Sequence, residues 1–395
     1  MLNQYVAEAL DRNPNRLLAA LRVQTAQQQA ELTGISRRPE WNASANASAN
    51  RALQKDSSTN RSFGLSAQVS YILDLWGKLA NQQRAADMEV NATEQDQQAA
   101  TLAVVGQVID QYWRIGALNQ QIATARQSLG TAQNTQRIVS VQYRYGKVSG
   151  IEQAEAQQSV ASQQGSLTRL IQQRDAARIA LSILLDHPLQ ALPAEPQTLP
   201  SQSLPEINAG LPASLLSRRP DLRAAELRLQ KALIQTDVVR ASFYPSITLT
   251  GSLGTSSTAL LEMLKNPVAA LGAGITLPFL QQAKLQRQLR VSELEYEQAL
   301  AGFRQSLITA LQEVADALST RASLQTQLMA QQSNLEASQR TEHLYALRYK
   351  QGAVDLRTYL QAQESRRQAE STLLQLRLQQ LQNQLTLYQA LGGGF

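Results

Sequence analysis

Residues 41–50 read WNASANASAN, in which Trp41 and four alanines alternate strictly with asparagine and serine. A period of two residues is typical of a β-strand whose two faces meet different surroundings. The alternation returns after a polar loop, at residues 62–71, SFGLSAQVSY, so the two stretches predict a β-hairpin. Alanine is a poor β-former, and an alanine face is a poor surface for contact with lipid.

The chain repeats itself once, with an offset of 206 residues. Three pairs of landmarks keep this offset: Pro14 and Pro220, Pro39 and Pro245, and Gly146 and Gly352. We therefore predict a first structural repeat over residues 1–187 with a hairpin at 40–75, and a second over 213–395 with a hairpin at 244–280. The segment between them, residues 188–212, is rich in proline and predicts a linker or an extended collar.

Each hairpin is followed by a long stretch without proline, from Gly77 to about Gln142 and from Ala283 to about Arg348. Apolar residues recur there every three or four positions, which predicts helices of some 65 residues, roughly 100 Å long. A glycine-containing turn then reverses the chain into a second helix, which we expect to end near Leu185 and Leu391. The fold class is therefore mainly α, with two pairs of β-strands.

Composition excludes most enzyme chemistry, because the chain has no Cys and only 2 His. No phosphate-binding loop and no nucleophile elbow is present, so we predict neither an enzyme nor a resident cofactor or metal. The net charge is +6, but the cations are scattered and form no nucleic-acid-binding pattern. No apolar run reaches the length of a membrane helix.

The four strands, at roughly ten residues each, are long enough to cross a bilayer. A half-buried soluble sheet explains their alternation equally well. If the strands lie in lipid, their backbone groups must all be paired, so the sheet must close into a barrel. Four strands are too few, since the smallest membrane barrels need about eight, and the chain would have to oligomerise.

Five motifs carry a resemblance to a known family: SYILDLWGKL (70–79), LPASLLSRRPDLRAAELRL (211–229), ASFYPSITLTGSLG (241–254), ALQEVADAL (310–318) and LYQALGGG (387–394). With the duplication, they resemble the TolC-type outer membrane factors, specifically the OprM and NodT branch. The resemblance implies a homotrimer with a 12-stranded β-barrel in the outer membrane of a Gram-negative bacterium, continuous with a periplasmic α-barrel. It also implies contact with outer membrane lipid.

The function implied is a passive exit duct for drugs and toxic small molecules in a tripartite efflux pump. Its partners would be a periplasmic adaptor and an inner membrane transporter of the RND type, and we expect no nucleic acid partner. A duct for type I protein secretion is one alternative, because a duct does not encode its cargo. A structural coiled-coil scaffold of the envelope is another.

The sequence departs from the family in two places. Members of this branch usually begin with a leader and a lipidated cysteine, whereas this sequence opens with MLNQYVAEALDRNP, which predicts an amphipathic helix. We expect either a removed leader or a non-lipidated protein. In the family, a V-L-D-A-Q motif places an aspartate at the periplasmic entrance, but here the segment reads YLQAQ, with Gln361 at that position.

We expect the acids near the two helix turns, Glu152, Glu155 and Asp355, to line or flank the entrance with Gln361 and to favour cations. They are equally well explained as first-turn acids that stabilise a helix dipole. Arg144 and Arg348 are candidates for ion pairs that hold the closed state, or are simply solvated. The resemblance places adaptor docking at the turns, with these candidate residues: Tyr143, Gly146, Val148, Gly150, Tyr349, Gly352 and Val354.

The apolar faces of the strands are the predicted lipid-facing surface. The residues assigned to this surface are Phe63, Leu65, Val69, Tyr71, Ile247, Leu249, Leu253, Leu271, Ile275 and Leu277. The opposite faces, with Ser, Asn, Thr and Gly, suit a wet lumen.

Overall fold

A computed structural model describes residues 1–51, 59–187, 194–200, 218–259, 262, 264–265 and 267–393. The helices are α1 (Leu2–Arg12), α2 (Pro14–Ile35), α3 (Lys78–Arg144), α4 (Gly150–Leu184), α5 (Pro220–Ala241), α6 (Gln282–Lys350) and α7 (Leu356–Ala390). The strands are β1 (Glu40–Arg51), β2 (Thr59–Leu73), β3 (Ser246–Ser257) and β4 (Val268–Thr276), and a 3-10 turn occupies Pro278–Gln281. The predicted mainly α fold with two strand pairs is confirmed.

The four strands form one antiparallel sheet in the order β1-β2-β3-β4. Both predicted hairpins are present, and β2 joins them by pairing with β3 along eleven residue pairs, from Phe63 with Ser257 to Leu73 with Ile247. β1 pairs with β2 over its whole length despite its alanines. Backbone pairing with a strongly alternating neighbour therefore outweighs the low strand propensity of alanine.

The register gives the sheet one apolar and one polar face. Directly paired residues share a face, as Ala45 does with Leu65 and Ile247 with Ile275. On the other face, Ser44 pairs with Ser66 and their hydroxyl groups are hydrogen bonded at 2.9 Å. The two-faced pattern read from each strand is thus continuous across the whole sheet.

All four strands meet their helices at the same end of the sheet. Glu40, the first residue of β1, pairs with Ser70 near the end of β2, and Leu73 pairs with Ile247 at the start of β3. Ser246 pairs with Thr276, the last residue of β4. The four connections to α2, α3, α5 and α6 therefore lie at one end of the sheet.

The chain divides into two compact units. The second unit, Ala19–Gln97 and Asp221–Ser306, contains the sheet and the helix ends that adjoin it. Within it, α5 contacts α3 through an ion pair of Lys231 with Glu89 at 3.0 Å, and Arg228 pairs with Asp96. The Thr236 hydroxyl donates a hydrogen bond to the Ser292 carbonyl of α6 at 3.3 Å.

The first unit, Met1–Leu18, Gln98–Pro220 and Leu307–Phe395, is mainly helical in its described part. Its largest apolar cluster joins Tyr5 of α1 with Ile115 of α3 and Leu181 of α4. Part of the proline-rich segment, residues 194–200, is described and non-helical, and its Pro196 carbonyl accepts a hydrogen bond from the Asn119 amide at 2.9 Å. The remainder of the predicted linker lies outside the described residues, and its bounds stay a prediction.

The two repeats preserve one buried contact with different side chains. Asn13, before Pro14, donates from its side chain to the Leu184 carbonyl at 2.9 Å. Arg219, before Pro220, donates to the Ala390 carbonyl at 3.1 Å. Arg219 lies 206 positions after Asn13, and Ala390 lies 206 positions after Leu184. Arg219, only 7% exposed, also pairs with Glu313 at 2.7 Å. The contact satisfies a terminal helix carbonyl that would otherwise be left without a donor.

None of the described helices is long and apolar enough to cross a membrane.

Candidate functional site

Two sharp turns join the long helices of the first unit. At the end of α3, the Gly146 N–H bonds the Tyr143 carbonyl and the Lys147 N–H bonds the Gln142 carbonyl. At the end of α6, Gly352 and Ala353 make the same two bonds to Tyr349 and Arg348. Gly146 has φ of 67° and Gly352 has φ of 73°, a left-handed conformation that favours glycine in this helix-ending motif. The predicted turns are therefore built in the same way.

Two of the predicted entrance acids hold the starts of the following helices. The Glu152 carboxylate accepts the Ser149 N–H at 2.6 Å in a capping box at the start of α4. The Asp355 carboxylate accepts the Thr358 N–H at 2.9 Å at the start of α7. The Ser149-x-x-Glu152 spacing is readable in the sequence as a capping box, and it is the signal for this contact.

A small apolar core ties the two turns together. Val139 of α3, Ala156 of α4 and Leu356 of α7 are buried against each other, and Leu356 is 0% exposed. The rings of Tyr349 and Tyr359 stack at the edge of this core, with centroids 5.5 Å apart. Burial first, and the nearby Glu152 carboxylate second, raise the pKa of Tyr349. We call this group, with the two turns, the tip.

The predicted docking residues differ in exposure. Tyr143, Gly146, Gly150 and Gly352 are exposed, whereas Val148, Tyr349 and Val354 are half-buried. Tyr145, which lies in the first turn and is 77% exposed, was not among the docking residues named individually from the sequence. The sequence feature that marks Tyr145 is a second tyrosine, two residues after Tyr143, in an otherwise polar turn.

A polar cleft of about 620 Å³ lies beside the tip, among α3, α4, α6 and α7. Glu155 and Gln361, both predicted at the entrance, line it together with Arg357. Glu152 and Asp355 are not among its lining residues, so the structure groups the four predicted residues into two pairs with different surroundings.

Ion pairs that no sequence prediction named lie along this cleft, one between α6 and α7 and the others within α7. Arg366 of α7 pairs with Glu342 of α6 at 2.5 Å and with Glu370 at 3.0 Å, and Arg367 pairs with Glu364. The i,i+3 and i,i+4 spacing of the pairs within α7 can be read from the sequence, but the pairing of Arg366 with Glu342 of α6 cannot. Arg144 and Arg348 are exposed, and neither forms an ion pair with a described residue of its own chain.

We expect the Asp355 cap to make the stability of the second turn depend on pH. Hydrogen bonding to Thr358 lowers the pKa of Asp355 below 3.8. Because the folded-state pKa is depressed, the stabilisation is complete well above 3.8 and is lost as the pH falls through the folded-state value. We expect Asp355→Asn, which retains the cap, to flatten the acid limb of the unfolding temperature against pH, measured by circular dichroism. An unchanged acid limb would contradict this origin.

The sequence profile of the family described as Outer membrane efflux protein matches residues 5–186 and again residues 211–393. The chain is 33% identical to the pyoverdine export outer membrane protein OpmQ of Pseudomonas aeruginosa, over 100% of this chain and 85% of the relative. It is also 33% identical to the cation efflux system protein CusC of Escherichia coli O6:H1, over 99% of this chain and 85% of that protein.

A crystal structure of CusC superimposes with a TM-score of 0.92 at 30% identity, covering 100% of this chain and 92% of the other. The two separate profile matches confirm the internal duplication that the 206-residue offset predicts. The chain belongs to the Outer membrane efflux protein family, the channels through which Gram-negative bacteria export solutes across the outer membrane.

Proposed function

We propose that three copies of this chain join their sheets into one twelve-stranded barrel and form the exit duct of a tripartite efflux pump. Membership of the efflux family is the single observation that supports this most strongly. The partners proposed are a periplasmic adaptor at the tip and an inner membrane transporter of the RND type. The duct itself is passive, and no enzymatic step is assigned to it.

The sheet edges support the association of copies. β1 and β4 are the outer strands, and within the described chain neither pairs with a further strand on its free side. An exposed strand edge cannot persist in lipid, because its backbone groups would have no hydrogen-bond partner. Since the strands alternate in direction, β1 of one copy meets β4 of the next in the antiparallel sense, and the sheet closes.

The two faces of the sheet support its orientation. We assign the apolar face to lipid, because its large side chains are solvent-exposed in the single chain, as with Leu271 at 94%, Ile275 at 65% and Leu253 at 57%. A large apolar patch left exposed marks an interaction surface. The opposite face, lined by serine, threonine, asparagine and glycine, is assigned to the water-filled lumen.

The tip is proposed as the entrance that the adaptor contacts. Glu155 and Gln361 line the cleft beside it, and Glu152 and Asp355 hold the turns in place for docking. Arg144 and Arg348 are exposed there, and we assign them to ion pairs with a neighbouring copy in the closed state.

We propose small solutes, not proteins, as the cargo. The names of the relatives support this choice, since OpmQ is named for pyoverdine export and CusC for cation efflux. Pyoverdine and cations are both small solutes. The pump that selects among such solutes would lie upstream of the duct.

Cross-linking tests the association directly, and the absence of cysteine provides a clean background. We expect single cysteines at polar-face positions of β1 and β4, Ser44→Cys with Ala270→Cys or Gly272→Cys, to yield covalent trimers with a short bifunctional thiol reagent. The purified protein should also conduct ions in planar bilayers. A protein that stays monomeric and does not conduct would contradict the proposal.

A matched control places the second cysteine on β3, an inner strand of the sheet. Ser44→Cys with Ser252→Cys keeps the same face and chemistry, but β3 has a partner on both sides. Covalent trimers with the β4 pair and none with the β3 pair would assign the contact to the outer strands.

A further inference from the structure

The junction between sheet and helices combines exposed aromatic side chains with exposed cations that form no ion pair with a described residue. We define the junction belt as residues 36–41, 73–78, 241–246 and 276–288, the four segments that adjoin the shared end of the sheet. It holds two of the three tryptophans of the chain, Trp41 and Trp76. Trp41 is 77% exposed, and Trp76 is 49% exposed.

Trp76 is held in a fixed orientation while remaining open to its surroundings. Its ring stacks on Tyr244 with centroids 4.8 Å apart, and its indole N–H donates to the Pro245 carbonyl at 2.8 Å. Phe279, also exposed, follows β4 at the same end of the sheet. Amphipathic rings of this kind are enriched where a membrane protein passes the lipid headgroups.

The cations of the belt have no acid partner in the described chain. The belt contains five cations against two carboxylates: Arg37, Arg38, Lys78, Lys284 and Arg287, with Glu40 and Asp74. All five cations are exposed, and none forms an ion pair with a described residue. Asp74 is engaged, since its two carboxylate oxygens accept the N–H groups of Leu79 and Ala80 at the start of α3.

Two of the cations line a groove that also contains apolar side chains. Lys284 and Arg287 line a space of about 670 Å³ between α5 and α6, with Val238, Val239 and Val291 among the other lining residues. Glu295 also lines it, 11 residues beyond Lys284 and 8 beyond Arg287, about 16 Å and about 12 Å along the helix. Cations beside valine side chains fit a phosphate group attached to a hydrocarbon chain.

We propose that the junction belt binds the headgroups of anionic phospholipids, of the phosphatidylglycerol type, in the leaflet that faces the helices. This inference rests on the proposed insertion of the sheet in the outer membrane. The charge of the belt is complementary to a phosphate surface, and its exposed rings lie beside the cations. Each basic residue near an anionic lipid surface strengthens binding by about 1 kcal/mol, or about fivefold.

The test measures lipid retention by the purified trimer. Native mass spectrometry counts the lipids bound as phosphatidylglycerol is titrated into the detergent, with phosphatidylcholine of the same acyl chains and inorganic phosphate as separate arms. We expect phosphatidylglycerol to bind at least fivefold more tightly than phosphatidylcholine. We expect Lys284→Gln/Arg287→Gln and Arg37→Gln/Arg38→Gln, which each remove two cations, to weaken that binding by about 25-fold.

The controls separate charge from fold. Arg126→Gln/Arg169→Gln removes two exposed cations from α3 and α4 outside the belt and should leave the affinity unchanged. Lys284→Arg/Arg287→Lys should retain it, because the charge is kept. All variants should remain trimeric and conducting, so a failure of lipid binding is distinguishable from a failure of the duct itself.

Three results would overturn the inference. Equal affinity for the two lipids would remove the role of charge. Displacement of phosphatidylglycerol by millimolar inorganic phosphate would make the belt a simple anion site. Equal losses of lipid affinity in the belt variants and in Arg126→Gln/Arg169→Gln would show that the lipid does not bind at the junction belt.

Discussion

Leu271→Arg is expected to prevent stable assembly in the outer membrane. Leu271 is the fourth residue of β4, on the apolar face, and is 94% exposed in the single chain. In a soluble sheet, an arginine at so open a position would cost little. On a lipid face near the middle of the bilayer it costs about 2–4 kcal/mol, and three copies in one barrel multiply the penalty. The measurement is the fraction of the chain recovered as trimer from outer membranes.

The neighbouring residue supplies the matched control. Ala270 lies on the same strand with the opposite orientation, paired with Ser252 on the polar face, and is also exposed. Ala270→Arg should assemble normally and should shift the ion preference of the channel towards anions, because its charge enters the lumen. If Leu271→Arg assembled as well as Ala270→Arg, the assignment of the two faces would be wrong.

Leu356→Ala is expected to loosen the tip. Leu356 is fully buried between Val139 and Ala156, and it is the first residue of α7. Truncating a leucine in such a site costs about 2–5 kcal/mol, since the remaining cavity is not refilled. Amides of the two turns should then exchange with solvent about 30-fold faster or more, which hydrogen exchange detects by mass spectrometry.

The same variant tests the entrance. If the tip closes the channel, its loosening should raise the conductance of single channels in planar bilayers. Leu356→Met keeps the volume of the side chain and should preserve both the exchange rates and the conductance. Unchanged exchange in Leu356→Ala would refute the role of this core in holding the turns.

The alternation at residues 41–50 and 62–71 was sufficient to predict the strands, because a half-exposed sheet imposes its period on every residue. The pairing of β2 with β3 could not be predicted from any local pattern, since those strands belong to different repeats. The long helices followed from the absence of proline, and their ends from the glycine turns. Local sequence signals therefore predicted elements, whereas contacts between distant elements needed the structure.

The tip shows the same division. Its two turns were predicted by residues that every helix end requires, a glycine and a capping side chain. The core around Leu356 and the ion pair of Arg366 with Glu342 join residues of separate helices, and no spacing within one helix marks them. Glu152 was assigned to the entrance although its capping-box spacing was readable, because an acid near a turn has several uses.

The duplicated architecture also lets one gene encode two different turns at the tip. The first turn starts its helix with a serine and glutamate box, and the second starts its helix with a single aspartate. A ring of six identical half-length chains would have to present one turn six times. In the fused chain the two turns can mutate independently. A threefold assembly can therefore present the two kinds of turn in alternation. One kind can then diverge for recognition while folding constrains the other.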